Sequence, residues 1–275
     1  MDQKSNKSQS NYEASKEFKT IEEKVRLKHI TKGKASKFQK YSNFFVGKKG
    51  LFALLKYELI TCIFSNWPGA LGIFLRGIFY KFLFKKVGKG VSFGRNITVR
   101  HPNKIEIGNN VVIDDNCMLD AKGEDNKGII IEDNVFIGRN SILSCKNGNI
   151  LLKENVNIGF NCEIFSANEV IIGKNTLIAA YVYFVGGGYD YNDYEKPATE
   201  MPALSKGIFV DDNCWFGAKA LIFDGVKIGN NSIIGGAALV NNDIPEYSIA
   251  VGIPAKVIKN RKEKNNESKQ TEVKK

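Results

Sequence analysis

The residues best equipped for chemistry sit in one interruption of an otherwise regular chain. Residues 185–209 open with Gly186-Gly187-Gly188, continue with Tyr189-Asp190-Tyr191 and reach Tyr194 before regularity returns at Val210. Glycine lacks the Cβ that restricts other residues, so three in a row allow the chain to turn away sharply and another chain to come close. A phenol beside a carboxylate can orient a hydroxyl or take its proton. Neither matches an imidazole for the task, because a histidine with a pKa of about 6.5 accepts a proton near pH 7 whereas a phenol near 10 is about 0.1% ionised. The two histidines, His29 and His101, both lie outside this segment. His101, within Arg100-His101-Pro102, reads as a turn residue. Asp120, Glu124 and Asp125 give a shorter insertion an acidic edge and read as a solvated loop. The five cysteines form no CxxC pair, so neither a metal site nor a disulfide framework is signalled. They read instead as buried thiols in a reducing cytoplasm.

These residues are positioned by a ladder of aliphatic residues six apart. It runs through Ile107, Ile113 and Leu119; Ile131, Ile137 and Leu143; Leu152, Ile158 and Ile164; Ile172, Ile178 and Phe184; then, past the interruption, Val210, Phe216 and Ile222, and Ile228, Ile234 and Val240. Ile107-Gly-Asn-Asn-Val111, Ile158-Gly-Phe-Asn-Cys162 and Ile228-Gly-Asn-Asn-Ser232 repeat one phrase. A period of six suits neither a helix nor simple alternation, and requires a short strand followed by a corner. Three such hexads make a triangular coil whose aliphatic residues point inward and are buried by stacking on the next coil. Gly and Asn at the corners tolerate left-handed backbone. The expected fold is therefore all-β, a parallel β-helix of hexapeptide repeats with an N-terminal helical segment.

The ladder, with its ending Asp243-Ile-Pro245 through Gly252-Ile-Pro254-Ala-Lys256, resembles the hexapeptide-repeat acyltransferase family, and its sugar O-acetyltransferase branch in particular. The resemblance covers residues 87–261. It implies a left-handed parallel β-helix, a homotrimer with its cleft between prisms, and transfer of an acetyl group from acetyl-CoA to a hydroxyl of a sugar or lipid-linked sugar acceptor. By the same resemblance Ala218 and Gly236 border the pantetheine arm of the coenzyme, Asn241, Asn242, Lys256 and Lys259 hold its distal end, and Asn161 binds substrate or donor. Tyr189 stands where the family has its catalytic histidine, with Asp190 next to it. Three cases stay open: an enzyme with an altered base, a variant that binds coenzyme A without turnover, and a histidine such as His101 arriving from a neighbouring subunit. A binding or scaffold protein is the rival to an enzyme.

The chain divides into a polar tail expected to be disordered or marginally helical (1–42), an apolar and basic helical segment (43–86), the repeat domain with its 185–209 loop (87–261) and a charged tail (262–275). The formal net charge is +11. The excess is largely terminal, with 11 Lys or Arg against 5 acids in residues 1–40. No base-stacking motif accompanies it, so nucleic acid is not expected as a partner. Residues 51–64 and 71–84 read as two helices broken at Asn66-Trp67-Pro68-Gly69. Each is shorter than the roughly 20 residues of a bilayer span. They are suited to cap the first coil, to touch the membrane peripherally, or both. The expected location is cytoplasmic, with any membrane contact at the inner face.

Overall fold

The computed structural model describes residues 19–21, 36–48, 50–192 and 194–263. Short parallel strands stack into three sheets of seven, seven and nine strands, the faces of a left-handed β-helical prism of about eight turns. The ladder supplies its inner wall. Ile107, Ile131, Leu152, Ile172, Val210 and Ile228 pair in register on face 1. Ile113, Ile137, Ile158, Ile178, Phe216 and Ile234 do so on face 2. Leu119, Leu143, Ile164, Phe184, Ile222 and Val240 do so on face 3. All are buried.

Corners explain the Asn-rich filler. Asn110, Asn134, Asn155, Asn175, Asn213 and Asn231, between faces 1 and 2, have φ between 54° and 60°, the left-handed region that Asn tolerates better than bulkier residues. Their amides also bond from coil to coil, as in Asn155 Nδ2 to Asn175 Oδ1 at 3.0 Å and Asn175 Nδ2 to Asn213 Oδ1 at 3.1 Å. One side chain thus serves the turn and the stack together.

The N-terminal segment closes the first coil. Helix α1 (Lys37–Phe45) begins at a capping box in which Ser36 and Gln39 exchange hydrogen bonds, a start signal lying at the end of the segment read from sequence as disordered or marginally helical. Helices α2 (Leu51–Phe64) and α3 (Gly69–Phe79) follow, and α3 continues as a 3₁₀ turn over Tyr80–Phe82. Helix α3 starts two residues earlier than the sequence suggested, directly after Pro68, and tightens before residue 84. Tyr57 Oη donates to Val99 O at 2.7 Å. Fully buried Arg76 donates from Nε to Phe93 O (2.9 Å) and from Nη1 to Trp67 O (2.8 Å). Gly72 is required beneath Trp67, since a Cβ would come within 2.0 Å of its carbonyl oxygen. A strand at Lys19–Ile21, also within the supposed tail, pairs with Ala203–Ser205 of the long loop. The remainder of that tail and residues 264–275 lie outside the described residues. Among the described residues no helix is long and apolar enough to cross a membrane.

Candidate active site

Along the corner between faces 2 and 3, one position repeats coil by coil. Its occupants are Arg95, Asp115, Arg139, Phe160, Ala180 and Ala218, each carbonyl accepting from the amide one residue further along the next coil. Examples are Asn161 N to Arg139 O (2.9 Å), Tyr181 N to Phe160 O (3.1 Å), Lys219 N to Ala180 O (3.0 Å) and Ala237 N to Ala218 O (2.8 Å). Gly236 occupies the position in the next coil; Gly252, two residues beyond the paired Ala250, instead accepts from Leu239 N at 3.0 Å and so takes the place that Ala238 has in the coil before. The first four side chains fill the corner. Arg95 Nε lies 3.1 Å from Asp115 Oδ2, and the Asp115 carboxyl is held below its usual range chiefly by the Arg95 backbone amide, with the guanidinium assisting. Arg139 sits 4.7 Å over the Phe160 ring, whose edge meets Tyr181 at 5.6 Å.

At this position nothing larger than a methyl group projects from Ala180 to Gly236, while the adjoining Tyr181 and Lys219 are exposed beside it. At about 4.8 Å per coil, three bare positions make a track about 10 Å long, enough for an extended chain of about three residues' length. Ala218 and Gly236 lie on it. Asn161, with φ 55°, stands at its head beside Phe160. Lys256 pairs with Val251, which places it at the foot of the track next to Gly252. Lys259 lies farther off, opposite Ile249.

The other expected residues occupy a different edge. Asn241 and Asn242 follow the strand Leu239–Val240, so a strand of face 3 separates them from Gly236. They bond to each other, Asn242 Nδ2 to Asn241 Oδ1 at 2.9 Å. Tyr189 and Asp190 follow the face 3 strand Tyr183–Gly186, at the corner between faces 3 and 1. Gly188–Tyr189 pairs antiparallel with Ala203–Ser205, and Lys146 Nζ is 5.8 Å from the Tyr189 ring centre. Asp190 Oδ1 accepts from Asn192 N (3.0 Å) and Nδ2 (2.6 Å), which ties one oxygen into its own turn. Within a single chain, face 3 therefore lies between the loop residues and the track.

Two of the three glycines that open the loop, Gly186 and Gly187, act by closeness; a Cβ on Gly188 would meet nothing within 4 Å. None of Gly186, Gly187 and Gly188 is among the positive-φ glycines. A Cβ on Gly186 would come 2.5 Å from Phe165 O, and one on Gly187 would come 2.8 Å from Ala167 Cβ. The loop's return is fastened by Asp224, which accepts from Ser205 Oγ (2.7 Å), Lys206 N (2.7 Å) and Gly207 N (2.9 Å). Sequence reasoning passed over Asp224, Ala180, Phe160 and Tyr181. Aligning Gly159-Phe160-Asn161, Ala179-Ala180-Tyr181 and Gly217-Ala218-Lys219 one above another would have revealed the last three.

His101 is committed elsewhere. Its ring is buried beneath Gly47, where a Cβ would come within 2.5 Å of it, and Nε2 lies 2.9 Å from Asn43 O. The geometry gives it no route to a neighbouring subunit. His29 lies outside the described residues. Asp120 departs from the solvated loop expected for it: it is buried and paired with Arg100 (3.1 Å) and Lys122 (2.9 Å). A separate groove of about 580 Å³ beside face 1 is lined by Lys153, Asp211, Asp212, Lys227, Asp243 and Glu246 among others. Its acids outnumber its lysines, which suits a phosphorylated carrier poorly. Among the described residues no cluster of His, Cys, Asp and Glu is arranged to hold a metal ion.

Residues 128–148 and 207–240 match the family described as the hexapeptide repeat of succinyl-transferase. The galactoside O-acetyltransferase of Escherichia coli is 36% identical over 111 residues, covering 40% of this chain and 54% of that protein. The dTDP-4-amino-4,6-dideoxy-D-glucose acyltransferase of Escherichia coli is 29% identical over 181 residues, 66% of this chain and 84% of that protein. The chain spans about half the length of the first curated relatives it matches. The crystal structure of the polysialic acid O-acetyltransferase OatWY shares the fold, with a TM-score of 0.51 and 22% identity over 64% of this chain and 82% of that one.

Proposed function

We propose that this hexapeptide-repeat protein, which has sugar acetyl- and acyltransferases among its relatives, moves an acetyl group from acetyl-CoA to a hydroxyl of a sugar. The acceptor in this reading belongs to a surface polysaccharide or a lipid-linked precursor. The observation that carries it is the bare track. The corner position that carries Arg95, Asp115, Arg139 and Phe160 in four coils carries only Ala180, Ala218 and Gly236 in the next three, so a slender ligand can lie against the backbone. Lys256 at its foot supplies a mobile positive charge suited to phosphate.

The chemistry divides among three groups. A base removes the hydroxyl proton as the oxygen attacks the thioester carbonyl; the tetrahedral oxyanion then collapses, and the coenzyme leaves as a thiolate that takes up a proton. Asn161, at the head of the track, is placed to donate to the carbonyl oxygen or position the acceptor. Tyr189 and Asp190 are the candidates for the proton. Because face 3 separates them from the track, the reading assigns them to the track of a neighbouring prism, in a homotrimer whose clefts lie between chains. The absence of cysteine pairing suits a cytoplasmic setting.

A second reading is supported by the lack of a histidine between residues 185 and 209: a scaffold that binds coenzyme A and does not turn over. Thiol release from acetyl-CoA with a panel of sugars and sugar nucleotides separates the two. Turnover by the native chain, abolished in Tyr189→Phe, supports the enzyme with tyrosine in the base's place. Turnover by Tyr189→His alone, with equal coenzyme binding, supports the scaffold. Failure of the native chain to bind coenzyme A overturns both.

A further inference from the structure

Helices α2 and α3 carry apolar residues on their outer as well as their inner sides, with Lys56 and Glu58 the charges on α2, yet only the inner sides are covered. Inward, Leu54, Tyr57 and Ile60 pack on the first coil, and Arg76 closes it. Outward, Phe52, Leu55 and Leu59 form one stripe along α2, and Leu71, Phe74 and Ile78 another along α3. All six are exposed, Phe52 by 81% and Phe74 by 64%. A contiguous exposed apolar surface of this kind marks an interaction face.

The charges around it indicate the occupant. Residues 51–86 contain Lys56, Arg76, Lys81, Lys85 and Lys86 against the single acid Glu58. Glu58 accepts from Tyr41, Lys85 is paired with Glu106 at 2.7 Å and Arg76 is buried, so the exposed Lys56, Lys81 and Lys86 carry the positive charge left at this surface. Trp67, 43% exposed, sits at the connection between the helices. Apolar residues flanked by lysines, with an aromatic residue at the margin, fit the boundary between headgroups and acyl chains. With 14 and 11 residues, both helices are too short to span a bilayer of about 30 Å.

We propose that the outer face of α2 and α3 seats the end of the prism on an anionic lipid surface. The prism axis then rises from the membrane, and Ala180, four coils beyond Arg95, stands about 19 Å further along it. A site at that height suits an acceptor held at the membrane by one end. The seating itself needs no acyl transfer, so failure of turnover would leave it untouched.

The test is flotation of the full-length protein with vesicles of phosphatidylcholine alone and of phosphatidylcholine mixed equally with phosphatidylglycerol. The native chain is expected to float with the mixed vesicles and at least about tenfold less with the neutral ones, since lysines near an anionic surface add an electrostatic attraction to the apolar contact. Replacing Phe52, Leu55 and Phe74 by Ser should abolish flotation with an unchanged thermal midpoint, since all three side chains are exposed. Lys81→Glu with Lys86→Glu should remove the preference for anionic vesicles. Flotation of the triple-serine variant equal to the native chain would overturn the proposal. So would absence of vesicle binding together with a concentration-dependent mass increase that the triple variant removes, which would assign the face to a second copy of the chain.

Discussion

A methyl group is the largest side chain at the track position between Ala180 and Gly236, and that makes residue 218 a sharp probe. Ala218 is exposed, so a larger side chain there meets solvent in the unliganded protein and, on the proposed reading, coenzyme A in the complex. Ala218→Leu is expected to weaken coenzyme A binding at least about tenfold, roughly 1.4 kcal/mol, by calorimetry, while the thermal midpoint holds. Tyr189→His tests the opposite corner: if only a base is wanting, thiol release should rise by about a hundredfold or more. His101 carries a prediction about pH. Burial pushes its pKa below the usual value, and with Nε2 donating to Asn43 O its Nδ1 has no partner. A proton added there would be a buried donor facing no acceptor. The unfolded chain therefore binds the proton more readily, and native stability falls as pH drops below about 6.5 toward the depressed folded value. His101→Asn, which tolerates the φ of 51°, should lower the midpoint at pH 7 through lost packing yet flatten its decline between pH 7 and 5.

At the scale of elements, the hexads act as strands and corners, and the long loop depends on one anchor. Asp224→Ala removes three hydrogen bonds to Ser205, Lys206 and Gly207 made by a charged acceptor. A loss of about 1.5–3 kcal/mol is expected, read as a lower thermal midpoint and faster proteolytic cleavage within residues 187–206. The prism interior holds its thiols shut, Cys145 from a strand and Cys117, Cys162 and Cys214 from the corners just before strands. Burial raises Cys117 and Cys214 to about 11 and pushes Cys145 and Cys162 up as well. Only Cys62 is exposed, so one thiol should react with an aromatic disulfide reagent in the native protein and five after unfolding. The ladder was legible because burial imposes it: every rung from Ile107 to Val240 faces inward, and each slip of register would expose a large aliphatic residue. The track was only half legible. Ala218 and Gly236 came by resemblance, while Phe160 meets Ala180 and Tyr181 only when coils stack, because about twenty residues separate them in sequence. Asp224 left no local signal, because its partners arrive from the far end of the loop. The capping box at Ser36 was legible and was passed over within a polar segment.

Over the whole molecule, the prism is a one-dimensional stack in which each coil leans on its neighbours, so its two ends carry different burdens. The far end carries the track and its lysine. The near end is closed by α2 and α3, and without them Val91, Phe93, Ile97 and Val99, all buried now, would lie close to water beside an open strand edge, an arrangement prone to edge-to-edge association. Graded damage to this cap should separate closure from any contact of its outer face. Arg76→Met keeps the bulk of the side chain but strips Phe93 O and Trp67 O of their donor, at about 1–3 kcal/mol for each buried carbonyl left unpaired. The expected result is a folded protein with a clearly lower thermal midpoint. Deletion of residues 1–86 should go further and give aggregated protein, whereas serine at Phe52, Leu55 and Phe74 should leave both solubility and midpoint intact, because those side chains support nothing beneath them. If the deletion instead yields a monodisperse protein with an unchanged midpoint, the first coil closes itself and the inner face of the helices is not a cap.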